Sequence, residues 1–481
     1  KHKPASAIRL SLVGSEMCIR DRLRFDGCPD FIYRYFIIMN FEETAQNIID
    51  LTLKAGASDC DVVLAKSYGK SISCRFQKIE DLDESNEKTI GIRALVDQRQ
   101  AFVSSSDIES DNIDKLVSKC VEMAKLAPID DTAVLGDSSM FEHDAIDLDL
   151  FEKDEVDTAK LIDAVKECED AALSVKGITN SEGAGASTSK GEFYLATSNG
   201  FQGGYQSSSS SVSCSVLAGQ GQDMERDYEY AVKRHSTDLP SAKGIGLSAA
   251  KKTLKRLNAK KISSTKLPVV FDKRISNDLL GYLASSISGT SIARGTSFLK
   301  DSLGKQIFNK DVTIIDDPAI NRGLGSKPFD GEGIKVKKRE LVTNGKLNTW
   351  ILNTSTAKKL GLKTTGNASR SVSSPPGVST SNLYMTNGLK SYDDILSSIS
   401  YGFYATELIG MGVNLVTGDY SMGASGMLIE KGEITHAVSE VTIASNLKEI
   451  FMNLSAANDL EFKYRTNAPT VLIESMTLAG K

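Results

Sequence analysis

The chain has 481 residues, 40% of them hydrophobic and 25% charged, which is enough for two or three domains with cores of their own and ordinary for a soluble globular protein. A net charge of −5 argues against a sequence-independent nucleic-acid binder, which needs a basic surface to neutralise phosphates. No apolar run approaches the ~20 residues of a membrane-spanning helix. The seven cysteines are scattered, odd in number and without a CxxC pair, so they point to a reducing, cytoplasmic compartment rather than a disulfide framework.

Residues 1–38 stand apart. They hold seven Lys/Arg against four Asp/Glu, follow no helical or strand period, and lack the basic–apolar–small order of a signal peptide. Ser11-Leu-Val-Gly-Ser-Glu-Met-Cys-Ile-Arg-Asp-Arg22 resembles translated sequencing-adapter text. The expectation is that Met39 is the true start and that 1–38 lies outside the fold.

From Met39 the pattern is regular. Asn40 with Glu43 makes a capping-box-like start to a helix that ends at Gly56. Strand-like runs follow at Cys60–Ala65, Ser71–Phe76, Thr89–Val96 and Ala101–Ser105, with Glu80–Glu87 read as an acidic turn. A helix over 111–127, closed by Pro128, completes an α+β unit at 39–128. The segment 129–265 reads as a central domain: an irregular acidic connection, a helix at 157–174, a β-rich stretch at 178–231 and a helix at 239–257. Within it, Asn199-Gly200 is a hairpin signal, and Ser207–Ser211, flanked by Tyr205 and Val212, reads as a small-residue strand.

Residues 266–481 read as a β-rich domain. Pro268–Phe271 predicts a buried strand, 275–287 a helix, Asn344-Gly345 a hairpin, and Thr354–Leu360 another helix. Ser369–Ser381, rich in Ser and Pro, reads as a mobile loop. From Gly410 to Asn446 glycines punctuate short apolar runs, as in tightly turned strands, with a hairpin tip at Glu430–Glu433. No internal repeat is evident.

Catalytic motifs are scarce. There is no phosphate-binding G-x-x-x-x-G-K-[ST] and no G-x-S-x-G elbow; Gly423-Ala-Ser-Gly426 has the wrong spacing. The histidines, His2, His143, His235 and His436, never fall within a helical turn of one another, unlike the paired ligands of a catalytic zinc. Asp223-Met-Glu-Arg-Asp-Tyr228 packs three carboxylates and an arginine together. Chemistry leaves open an Arg–carboxylate clamp, a substrate-facing acidic patch, or a solvated turn, and favours the turn.

Several segments together resemble the TldD/PmbA family, in its PmbA (TldE) branch. They are Asp223–Tyr228, Asp301-Ser-Leu-Gly-Lys-Gln-Ile307, Phe329-Asp-Gly-Glu-Gly333, Thr354–Gly366, Gly412–Ile434 and Thr442-Ile-Ala-Ser-Asn-Leu447, and the resemblance spans Met39 to Lys481. It implies N-terminal α/β-type layers followed by a barrel-like C-terminal domain, an α+β protein overall. It further implies a cytoplasmic heterodimer in which a TldD-like subunit carries zinc through an HExxxH helix and a C-terminal cysteine, and unfolded peptides as substrates. A label as modulator of DNA gyrase also attaches to the family.

Aligned on that helix, Asn277 and Tyr282 stand where the histidines belong and Asp278 where the glutamate belongs, while the last cysteine is Cys214. The resemblance therefore implies no catalytic residue and no metal in this chain, with zinc in the TldD-like partner. Gly410, Gly412, Gly418, Asp419, Ser421, Gly423 and the 369–381 loop are candidates for peptide or partner contact. Two other readings compete: an independently active peptidase with an unrecognised site, and a regulatory binding protein of the gyrase-modulator type.

Overall fold

The computed structural model describes residues 40–480, and the expectations for residues 1–38 and for Met39 lie outside them. The unit that begins at Phe41 opens with helix α1 (Phe41–Lys54). Its buried residues, Phe41, Ala45, Ile48, Ile49 and Thr52, recur at helical spacing, and Gly56 ends it in a left-handed conformation (φ +106°).

Strands β1 (Asp59–Arg75) and β2 (Lys78–Val96) form one long hairpin. This corrects the expected acidic turn at Glu80–Glu87: those residues are strand, with Lys70 opposite Glu84 and Ile72 opposite Leu82. The turn is instead Phe76-Gln77, both at positive φ (48° and 63°). Residues 78–87 are exposed throughout, so the burial alternation that marks a strand in sequence is missing there. Asp97-Gln98 turns into β3 (Arg99–Ser105) in the same way, and α2 (Ser110–Leu126) follows.

Helix α3 (Thr158–Leu173) starts at Asp157, whose carboxylate accepts the Ala159 N–H. Then come β4 (Ile178–Thr197), β5 (Gln202–Ala218), β6 (Glu225–Lys233) and α4 (Ala242–Lys255). All six strands make one antiparallel sheet in the order β3-β2-β1-β4-β5-β6. Segments 39–128 and 129–265 thus share a sheet, joined along β1–β4 from Asp61↔Thr197 to Cys74↔Ala184. The serine run is strand: Ser211 and Ser209 pair by hydroxyl with Ser187 and Ser189, both at 2.8 Å. Helices α3 and α4 cover one face, burying Leu161, Val165, Cys168 and Ile245 against Ile72, Val212 and Val216.

The third section starts with β7 (Thr265–Phe271), α5 (Asn277–Ser286), α6 (Gly289–Ala293), β8 (Ile314–Asp317), β9 (Arg339–Thr343), β10 (Lys346–Leu347) and α7 (Thr354–Leu360). It continues through β11 (Ala368–Ser371), β12 (Ser374–Val378), β13 (Asn382–Met385), α8 (Tyr392–Ser397), β14 (Tyr401–Ile409), β15 (Asp419–Glu430) and β16 (Glu433–Asn446). It closes with α9 (Leu447–Met452), β17 (Leu454–Ala456), β18 (Thr466–Asn467) and β19 (Val471–Ala479). Strands β16-β15-β14-β7-β19 pair in that order and β16 also pairs with β19, so the sheet closes into a five-stranded barrel. Closure leaves no free edge among these five. The glycine rhythm has a local cause at Gly426, where an added Cβ would lie 2.0 Å from the Tyr404 carbonyl oxygen on β14. A side sheet, β10-β9-β8-β13-β18, flanks the barrel.

The 369–381 segment is not a mobile loop. It forms the β11–β12 hairpin, whose Arg370 is buried and ion-paired to Asp61 on β1. Asp61 also holds Arg93 of β2 at 2.5 Å, with both side chains 4% exposed. Gly91 makes room for the hairpin: an added Cβ there would sit 2.0 Å from the Val372 carbonyl oxygen. Serines and prolines bury little themselves; the Arg370 ion pair, the Asn353 bond to the Pro376 carbonyl and the Ser381 N–H bond to Asp316 hold the segment in place.

Candidate functional site

Helix α5 has two faces. Leu279, Leu280 and Leu283, fully buried, anchor it in the core with Phe271, Phe403 and Tyr420. Asn277, Asp278, Gly281, Tyr282 and Ser285 fall on the other face and line a cleft of about 540 Å³, completed by Leu408, Gly410, Met422 and Thr466. The helix is positioned by β7, which delivers the chain to Asp272; the Asp272 carboxylate accepts the Arg274 N–H at 2.9 Å and turns the chain into α5.

Asn277 Nδ2 donates to the Thr466 carbonyl at 3.4 Å, while its Oδ1 is buried with no partner among the described residues. The hydroxyl of Tyr420, a residue 1% exposed, is likewise unpartnered. Its ring stands edge-on to Tyr282, centroids 6.2 Å apart. Asp278 is exposed at the cleft mouth, yet the protein packed around it pushes its carboxyl up to about 6. Burial, and then the Asp278 charge, raises the Tyr282 phenol, so that hydroxyl stays protonated near neutrality.

The cleft therefore offers a carboxyl that changes protonation near pH 6, the Tyr282 phenol and the Ser285 hydroxyl. These are hydrogen-bonding groups for a polar ligand such as a peptide main chain. They do not suit zinc, which wants three ligands drawn from imidazole, thiolate and carboxylate. His235 is tied to Asp149 (3.2 Å), His436 lies on β16 beside Thr435, and Cys214 is buried in the core under α3 and α4. Among the described residues no three His, Cys, Asp or Glu side chains gather where they could hold a metal ion.

The structure thus brings Asn277, Asp278 and Tyr282 together with Gly410. The other glycine-region candidates build the loop and strands behind it. Gly412 lies where an added Cβ would be 1.7 Å from the Ser421 carbonyl oxygen, and Ser421 N–H donates to the Gly412 carbonyl at 2.8 Å. Gly418 turns at φ +88°. Asp419, fully solvated, accepts from Thr417 Oγ1 (2.6 Å) and Asn446 Nδ2 (3.1 Å), which hold its carboxyl below the usual range. Gly423 pairs within the barrel between Ile409 and Thr442. Tyr420 and Met422 were legible only as the inward residues of an alternating strand, and nothing in the sequence marks Thr466.

The acidic motif at 223–228 resolves differently from a solvated turn. Asp227 lies on β6, buried, and takes Arg274 from beyond β7 rather than Arg226 of its own motif. Arg226 pairs loosely with Glu182 at 3.4 Å. It is a clamp, and its arginine comes from another section of the chain.

Three family models match: the PmbA/TldA metallopeptidase domain 1 over residues 60–124, the central domain over 151–257 and the C-terminal domain over 264–480. The chain belongs to the PmbA/TldD metallopeptidase family. Within it the resemblance is to the PmbA (TldE) branch. The metalloprotease PmbA of Escherichia coli O157:H7 is 36% identical over 434 residues, covering 90% of this chain and 94% of the relative. The homologue from Haemophilus influenzae shows the same identity and coverage. A Bacteroides thetaiotaomicron structure named as a modulator of DNA gyrase aligns with a TM-score of 0.86 at 27% identity, over 92% of this chain and all of that one. TldE from Thermococcus kodakarensis shares the fold (TM-score 0.81, 21% identity, 91% of this chain and all of that one). No helix of the described residues is long and apolar enough to cross a membrane.

Proposed function

We propose that this chain is the zinc-free, peptide-handling subunit of a cytoplasmic metallopeptidase whose zinc is carried by a TldD-like partner. One observation carries the reading: the α5 face that would hold a zinc-binding motif presents Asn277, Asp278 and Tyr282. The family membership supports peptide hydrolysis as the activity of the complex. The cleft supports a contribution of binding, since Asp278, Tyr282 and Ser285 line it and supply hydrogen-bonding groups for the N–H and C=O groups of an extended peptide.

The test is reconstitution. The purified chain is expected to hold no stoichiometric zinc and to leave unfolded peptides intact, with chelator-sensitive cleavage arising only on mixing with an HExxxH-bearing paralogue. Stoichiometric zinc and cleavage by the chain alone would overturn the proposal in favour of an independent peptidase. A direct effect on gyrase without any partner would favour the regulatory reading, although the net charge of −5 counts against DNA contact.

A further inference from the structure

A second recess, about 240 Å³, lies between the β4–β5 wall (Phe193, Tyr205, Ser207) and the segment 324–331. Three basic side chains from distant parts of the chain line it: Arg234 just after β6, Lys327, and Arg465 just before β18. Arg234 donates through Nε, Nη1 and Nη2 to the carbonyls of Gly323 (3.3 Å), Ser208 (3.2 Å) and Leu324 (2.6 Å). Lys327 Nζ donates to the Ala368 carbonyl at 3.1 Å. Arg465 donates to the Ser381 carbonyl and Ser379 Oγ, both at 3.1 Å, and to the Thr380 carbonyl.

Every one of these acceptors is neutral. Among the described residues none of the three cations has a carboxylate within 4.0 Å. Asp330, the acid on the lining, accepts the N–H groups of Glu332 (2.9 Å), Ile334 (2.9 Å) and Ala368 (3.0 Å), and of the three cations it is Lys327 on which its charge acts, leaving the arginines in excess. Asp316, near Lys327 and Arg465, accepts from Ser381 N–H and Asn367 Nδ2. A fourth cation on the lining, Arg370, is committed to Asp61. Arg234 and Lys327 are half-buried and Arg465 is exposed at the rim; withdrawing positive charge from water onto neutral dipoles is unfavourable, and an arriving anion relieves it for the first two. The opposite wall is aromatic, with Tyr205 edge-on to Phe329 at 5.5 Å and 5.6 Å from Phe193.

We propose that this recess binds a carboxylate, the free C-terminus of a peptide, with the carboxylate on Arg234, Lys327 and Arg465 and the last side chain against Tyr205 and Phe193. Arginine's planar fork matches a carboxylate, and the volume suits one terminal residue. An inorganic oxyanion would satisfy the cations but leave the aromatic wall unused. The identification of the anion as a peptide terminus rests on the peptide-handling reading above; the demand for an anion does not. Arg465 directly precedes Thr466, which lines the α5 cleft, so one short segment serves both sites.

Calorimetric titration of the full chain, without a partner, with N-acetyl-Ala-Phe, its C-terminal amide and inorganic phosphate tests this. The free acid is expected to bind saturably, the amide roughly tenfold or more weakly, and added salt to weaken the acid. Arg465→Gln and Lys327→Met should each cost the acid roughly tenfold in affinity while circular dichroism shows an intact fold. Equal binding of acid and amide, no binding of the acid to folded protein, or phosphate binding tighter than the acid would each overturn the proposal. No peptidase activity enters the readout, so failure here leaves the reconstitution result standing, and the converse also holds.

Discussion

Asp227 and Arg274 meet in a two-pronged ion pair, with Nη1 to Oδ1 at 2.9 Å and Nη2 to Oδ2 at 3.2 Å, and the Asp227 side chain is 4% exposed. The same guanidinium donates through Nε to the Thr406 carbonyl at 2.6 Å. Beside it, Arg256 of the segment following α4 bonds Glu407 at 2.6 Å and Glu225 at 3.2 Å. These bonds fasten edge strand β6 of the large sheet to strands β7 and β14 of the barrel.

Removing one partner should therefore cost more than an exposed salt bridge does. Asp227→Asn leaves the Arg274 charge buried and short of a carboxylate, a loss of about 3–5 kcal/mol. Equilibrium urea unfolding measures it, and an unchanged midpoint would show that the pair contributes nothing. Burial alone would raise the Asp227 carboxyl, but the Arg274 hydrogen bonds and charge prevail and hold it below its usual 3.8. Because the folded value is depressed, the stabilisation is complete above the unfolded value near 4 and is lost as pH falls through the folded value. The Asn variant should lack that part of the acid limb.

Asp278 has the opposite sign. Its folded carboxyl, raised to about 6, disfavours the charged form, so folding is penalised fully above that value and not at all below the unfolded value near 4. Asp278→Asn should raise the melting temperature at pH 8 and leave it unchanged near pH 4. A uniform shift at both values would show that the acid does not titrate as its surroundings imply.

Placing two histidines on α5 should not create a peptidase. Asn277→His with Tyr282→His still lacks a third strong ligand, because Cys214, the last cysteine of the chain, is buried in a different core. Metal analysis and a peptide-cleavage assay on the double variant decide the matter; robust zinc-dependent hydrolysis would refute the assignment of this helix.

Gly91→Ala should loosen the β11–β12 hairpin. Its Cβ would collide with the Val372 carbonyl, and backbone shifts of that kind typically cost about 1–3 kcal/mol. Limited proteolysis should then cut near 372–373 in the variant while the wild type resists. Equal resistance would show that the hairpin docks without this close approach.

Much of the architecture was readable because the signals are local. Asn199-Gly200, Asn344-Gly345 and Lys431-Gly432 all turn hairpins, and the helix expected at Thr354–Leu360 forms over those residues. The misreadings share a cause: the deciding contact was distant in sequence. Glu80–Glu87 became strand through its register with β1. The Ser-Pro segment is held by distant partners, among them Asp61, 309 residues from Arg370.

By itself the sequence determined most of the elements and the family they belong to, because residue identity and short-range spacing are enough for each. Only the tertiary structure decided that Asp227 takes Arg274, that Gly410 and Met422 complete the α5 cleft, and that Arg234, Lys327 and Arg465 line one recess. Electrostatic partnership depends on a few ångströms of separation and on the exclusion of water, and both exist only once distant segments have packed together.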